Sequence, residues 1–192
     1  VLFRSLLKYF LLLCFLIASS CSGRNDNAQP NSFFSLKSYF NQQIDALQKS
    51  GADIIKKTSV DNEATEEYRI VDADWRREFD SFIAADISGE EFTNAYRIDT
   101  ADEKTDSIHI AKTIRYTAID NEQRIRLIVV QLDSADHISR IEIEAYKKSV
   151  FSIVTESLVY VPMKYFTITN YEDSGWLGKN ELKVAGIIVI KS

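Results

Sequence analysis

The stretch His137-Ile138-Ser139-Arg140-Ile141-Glu142-Ile143-Glu144-Ala145-Tyr146-Lys147 decides the fold. Ile141, Ile143 and Ala145 alternate with Arg140, Glu142, Glu144 and Tyr146. Successive side chains of a strand point to opposite faces, so this period of two specifies a strand with one face on a core and the other in water. Working outward, strand-like runs recur at 108–119, 123–132, 151–161, 163–171 and 182–190, with 96–99 as a candidate seventh strand. Turn residues separate them: Asp120-Asn121, Asp133-Ser134, Lys148-Ser149 and Asp173-Ser174-Gly175. Connections this short join only antiparallel neighbours, because a parallel crossover needs about a dozen residues or more. The expected sheet is therefore an antiparallel meander. Ile128-Val129-Val130 and Ile187-Ile188-Val189-Ile190 are apolar at every position, which predicts central strands or curvature into a half-barrel. Pro162 has no amide hydrogen to give a ladder, so it marks a turn or an edge.

Upstream of the sheet the period changes. Phe33, Leu36, Phe40, Ile44 and Leu47 recur at spacings of three and four, the stripe of an amphipathic helix capped by Asn31 or Ser32 and stopped by Gly51. Short β-like runs at 54–60 and 66–71 flank Asp61-Asn62-Glu63 and predict a small hairpin. Asp72 or Asp74 can cap a second helix running to about Ile87, with Trp75, Phe79, Phe82, Ile83 and Asp86 on one face. The expected class is α+β: two N-terminal helices packed on a six- to seven-stranded antiparallel meander sheet, open or curved into a half-barrel.

The first residues address the chain. Arg4 and Lys8 precede an apolar run, residues 9–18, that ends in Ser19-Ser20-Cys21, the order of an export signal. The run is followed at once by polar residues and is too short for a membrane span of ~20 residues. It resembles bacterial lipoprotein signals, with Ala18 where Leu is usual. That resemblance implies cleavage after residue 20, diacylation of Cys21 and a lipid-anchored mature protein. Several acyl chains at about 0.8 kcal/mol per buried methylene anchor stably. Residues 21–32 are polar and read as a flexible tether, and 33–192 as one α+β domain. The helix pattern Trp75, Glu78, Phe82, Ala85, Asp86 and Ile87, together with Ser38-Tyr39-Phe40, resembles a group of uncharacterised envelope lipoproteins of Bacteroidota-type bacteria. That resemblance implies an outer-membrane-anchored envelope protein facing the periplasm, or the cell surface, and brings no activity with it.

Composition narrows the function classes. The net charge of −5 becomes −7 once Arg4 and Lys8 leave with the signal, which has no acidic residue. An acidic domain without a Lys/Arg stripe lacks the footprint of a nucleic-acid binder. Of the two cysteines, Cys14 would leave with the signal and Cys21 would be acylated, as the lipoprotein resemblance implies, so no disulfide is expected. No GxSxG, P-loop, HExxH, CxxC or EF-hand pattern occurs, and neither a metal nor a cofactor is expected. His109 and His137, near Ser107 and Ser134, lack a third convergent ligand or triad member in the spacing. Glu142 and Glu144 share a strand face and read as a solvated surface.

Asp86 is the odd residue. It sits on an apolar stripe near an expected helix C-terminus, where the dipole disfavours a carboxylate, so it needs a partner and is read as a structural polar group. Trp176, Tyr165 and Tyr171 are candidate ligand-binding aromatics, with ordinary sheet packing as the alternative. The leading expectation is a non-enzymatic binding or assembly module with an envelope protein partner. A carrier of a small apolar ligand in a half-barrel cavity and an envelope hydrolase stand behind it.

Overall fold

The computed structural model describes residues 33–104 and 110–191. The expected signal and tether, with Cys21, and Ser107 and His109 lie outside the described residues. Residues from Ser32 to Ser192 cluster as one compact unit with its own core.

The first helix, α1 (Leu36–Lys49), shows how its sequence sets both ends. Its N-cap is Ser35, whose hydroxyl accepts from the Ser38 amide, rather than Asn31 or Ser32 as the spacing predicted. Phe34, just before the cap, packs on Tyr39 with ring centres 5.6 Å apart, the staple that fixes the entry angle. At the other end Gly51 takes φ +59°, and the amides of Gly51 and Ala52 bond the carbonyls of Gln48 and Leu47. Such a left-handed terminus favours glycine and satisfies two orphan carbonyls.

The hairpin of β1 (Asp53–Val60) and β2 (Glu63–Ile70) turns on Asp61 and Asn62, both at positive φ. The second expected helix is instead two short pieces, α2 (Trp75–Glu78) and α3 (Asp80–Ala84). Asp74 caps the first, and the break falls at Phe79, whose ψ of 11° leaves the helical region. Breaking there lets Trp75, Phe79 and Phe82 all reach the core. Asp86 therefore stands in the loop beyond α3, not in a helix.

Seven strands follow in a meander: β3 (Tyr96–Lys104), β4 (Ile110–Ala118), β5 (Ile125–Leu132), β6 (Ile138–Lys148), β7 (Ile153–Val161), β8 (Tyr165–Asp173) and β9 (Lys179–Val189). The sheet nevertheless has nine strands, in the order β2-β1-β9-β8-β7-β6-β5-β4-β3, because β1 pairs antiparallel with β9. The hairpin before the helical pieces thus extends the meander beyond the six or seven strands expected. Among the described residues its edges, β2 and β3, are unpaired and the sheet does not close.

Register assigns the two faces. One row across all nine strands reads Thr100, Ile114, Val130, Ile141, Tyr160, Phe166, Gly186, Lys56 and Tyr68. Its centre is buried under the helices: Phe40 and Phe79 lie 5.1 and 5.2 Å from the Tyr160 ring, and Phe79 lies 5.6 Å from Phe166. Gly186 is required beneath this cluster, since a Cβ there would overlap the Phe166 ring. Lys56, on the same face, closes an ion pair of 2.8 Å with Glu78 of α2.

Candidate binding surface

The adjacent row belongs to the opposite face: Asp99, Arg115, Val129, Glu142, Val159, Thr167, Ala185, Lys57 and Glu67. A second row beside it runs Arg97, Thr117, Leu127, Glu144, Ser157, Thr169, Lys183 and Ser59. Among the described residues no helix lies on this face. Its middle is half-buried and weakly apolar, with Leu127, Val159, Thr167 and Ala185 between charged margins. Val129 is only 5% exposed yet stands outside the core under the helices. The margins hold exposed ion pairs of 2.9 Å, Arg97 with Asp99 and Lys57 with Glu67.

Near the centre Arg140 bonds the Glu142 carboxylate through Nε and donates from Nη1 to the Tyr165 hydroxyl at 3.1 Å. The bond reaches across β7 and fixes Tyr165 on the uncovered face. Glu142 in turn pushes the Arg140 guanidinium still higher than usual. Tyr171 lies on the same face six residues further along β8, about 20 Å away at ~3.3 Å per residue. Its ring sits beneath Lys179, with 6.0 Å from Nζ to the ring centre. Trp176 lies beyond it in the β8–β9 turn and is 91% exposed. The three aromatics singled out by sequence thus form a line along one hairpin and do not converge on one pocket.

Two clefts open on this face. One, of about 690 Å³, is lined by Thr117, Asp120, Asn121, Arg126, Tyr146 and Lys148. Here the Arg126 guanidinium stacks 4.9 Å from the Tyr146 ring centre and donates to the Asp120 carbonyl at 3.1 Å. The other, of about 440 Å³, is lined by residues that include Lys57, Ser59, Glu67, Lys183 and Ala185. The row from Thr117 to Ser59 runs from one cleft to the other. The alternation put Tyr146 on the water face, but Arg126 was not legible, because a register shift between Ile125 and Leu127 is what turns it to this face. No local pattern announces a bulge of that kind.

No protein-family model, no curated protein and no solved structure matches the chain.

The remaining polar candidates resolve individually. Asp86 gathers four hydrogen bonds: Oδ2 accepts from the Ser35 hydroxyl at 2.8 Å and the Lys37 amide at 2.5 Å, and Oδ1 from the Ser88 amide and hydroxyl at 2.7 and 2.5 Å. Burial pushes its carboxyl up, but these bonds outweigh burial and hold it below the ordinary carboxylate range. The carboxylate meets the N-terminus of α1, where a negative charge is favoured. Asp53, buried in β1, is held low by Lys191 and Arg69, at 3.0 and 2.7 Å. His137 is exposed beside Asp133 at 3.8 Å. Glu142 is half-buried and Glu144 exposed, side by side on the uncovered face. Among the described residues no three His, Cys, Asp or Glu side chains converge as a metal site.

Proposed function

We propose that the chain is a lipid-anchored, non-enzymatic binding module of the cell envelope that holds a partner protein on the uncovered face of its sheet. The observation that carries this reading is the asymmetry of the sheet: α1, α2 and α3 pack on one face, and among the described residues no helix lies on the other across nine strands. Eight spacings of ~4.8 Å and strands of about nine residues make that face roughly 38 by 30 Å. It is large enough for the ~800 Å² that each side of a standard interface buries. Its makeup also suits a partner that comes and goes. Non-obligate interfaces are about as apolar as ordinary surface, with a weakly apolar centre and a polar rim. Val159, Thr167 and Ala185 supply the centre; the ion pairs Arg97–Asp99 and Lys57–Glu67, with Arg115 and Lys183, supply the polar rim. The anchor in this reading is Cys21, behind the signal of Arg4, Lys8 and residues 9–18.

The test is a double variant, Thr167→Arg with Val159→Arg, expressed as the full chain in its own cells. Its melting temperature is expected to stay near the parent's, since neither side chain belongs to the core under the helices. Loss of the native envelope complex with retained fold supports the reading. An unchanged complex refutes it.

A further inference from the structure

Outside the face just described, the most exposed aromatic side chains gather at one end of the sheet. Val150 and Phe151, 92% and 82% exposed, form the tip of the β6–β7 hairpin, and Trp176, 91% exposed, forms the tip of the β8–β9 hairpin. The register makes these tips neighbours. Lys148 pairs with Ile153, Ile153 with Asp173, and Asp173 with Lys179, so both turns leave the sheet at the same level. Two strand spacings separate them, about 10 Å. Both turns are built to project. Ser149 ties the first together, its hydroxyl accepting from the Ser152 and Phe151 amides at 2.9 and 3.2 Å. The second takes positive φ at Gly175 and Gly178 on either side of Trp176.

Behind the tips stand three lysines, of which Lys179 is ion-paired with Asp173 at 3.0 Å. Lys147 and Lys148 precede Val150-Phe151 in one hairpin and Lys179 follows Trp176 in the other, all about two to three residues back from the apolar apex. That is about 7–10 Å along the strands. A partner protein needs a continuous, complementary patch, whereas these side chains project singly from separate turns. A fluid apolar phase receives such side chains without complementary shape. Trp favours the level between headgroups and acyl chains, and lysines just above it meet lipid phosphates.

We propose that the two hairpin tips form a second membrane contact, with Val150, Phe151 and Trp176 entering the outer part of a bilayer and Lys147 and Lys148 meeting anionic headgroups. The contact is independent of acylation at Cys21. It would hold the sheet upright on the membrane, with the uncovered face turned sideways and free for its partner.

The test uses the chain from Ser32 onward, which contains the whole core and lacks Cys21, so that the lipid anchor plays no part. Vesicles of phosphatidylcholine alone, or with phosphatidylglycerol, are added while tryptophan emission and co-sedimentation are followed. Trp75 is buried and Trp176 exposed, so the difference between parent and Trp176→Phe isolates the tip. The Trp176 emission is expected to move to shorter wavelength and to be quenched by brominated acyl chains, more strongly with phosphatidylglycerol. A Phe151→Ser, Trp176→Ser variant is expected to bind vesicles roughly tenfold more weakly or worse, from the lost apolar burial. A second variant, Lys147→Glu with Lys148→Glu, should lose the preference for anionic lipid while keeping its melting temperature. Emission unmoved by either vesicle overturns the proposal, as does equal sedimentation of parent and tip variant. An emission shift that follows protein concentration without lipid also overturns it, and assigns the tips to a second copy of the chain.

Discussion

The Asp86 carboxylate accepts a 2.8 Å hydrogen bond from the Ser35 hydroxyl, 51 residues away in the chain. Ser35 is the N-cap of α1, and the same carboxylate oxygen takes the Lys37 amide, so a loop residue completes the cap of a distant helix. Its other oxygen closes the Ser88 turn. One side chain thereby joins the helical layer's first element to the loop that leads into the meander.

Removing that carboxylate should destabilise the fold without touching the sheet faces. Loss of a cap and of charge-assisted hydrogen bonds costs about 2 kcal/mol. For a domain of this size Asp86→Ala should melt roughly 4–8 °C lower, with Asp86→Asn in between. Thermal unfolding followed by circular dichroism decides it, and an unchanged melting temperature in both variants contradicts the structural role.

Acid stability should carry the signature of the same residue. Asp86 and Asp53 both have folded pKa values below their ordinary ones. A depressed carboxylate contributes stability that is present above the unfolded pKa and is lost as pH falls through the folded value. The parent should therefore lose stability below about pH 4, and Asp86→Asn should lose less over the same interval. Urea midpoints measured at several acid pH values test this, and parallel curves for parent and variant count against it.

On the alkaline side the buried tyrosines act in the opposite sense. Burial pushes the Tyr160 and Tyr96 hydroxyls up to about 12. A raised pKa contributes stability that is complete below the unfolded value, ~10, and is lost as pH rises through the folded one. Ultraviolet titration should show these tyrosines ionising together with unfolding near the top of that range. Independent ionisation near pH 10 with the fold intact would refute their burial.

The aromatic core makes a steric prediction. A methyl group at position 186 would overlap the Phe166 ring, which is packed against Phe79 and Phe82 and cannot turn away. Gly186→Ala should cost about 1–3 kcal/mol as an overpacked site, and Phe166→Leu in the same chain should recover part of the loss. Additive losses in the double variant would contradict the contact.

Legibility in the sequence followed the range of the interaction. The stripe Leu36, Phe40, Ile44 and Leu47 gave α1, and Gly51 its stop, because both depend on residues within a turn. The alternation around Ile141 and Ile143 gave β6, whose two faces do see core and water. Non-local features stayed hidden. The pairing of β1 with β9 joins the two ends of the domain, and nothing in Lys56 or Gly186 announces the other. Strand β3 extends well past the expected 96–99 because it lies on an edge, where Asp99, Thr100 and Asp102 face water without an apolar alternation. That Asp86 needs a partner was legible; that Ser35 and Lys37, from the other end of the helical layer, join Ser88 in supplying it was not. Of the binding surface, Tyr165 and Tyr171 were legible as strand aromatics, whereas the stack of Arg126 on Tyr146 depends on a register shift.

The central claim, that the uncovered face holds a protein partner, is tested most directly by crosslinking in living cells. A photoreactive amino acid placed at Thr167, in the middle of that face, is compared with one at Gln42, exposed on α1. The account predicts a discrete adduct of one protein from position 167 and none from position 42. Adducts of equal yield from both positions, or none from position 167, would contradict it.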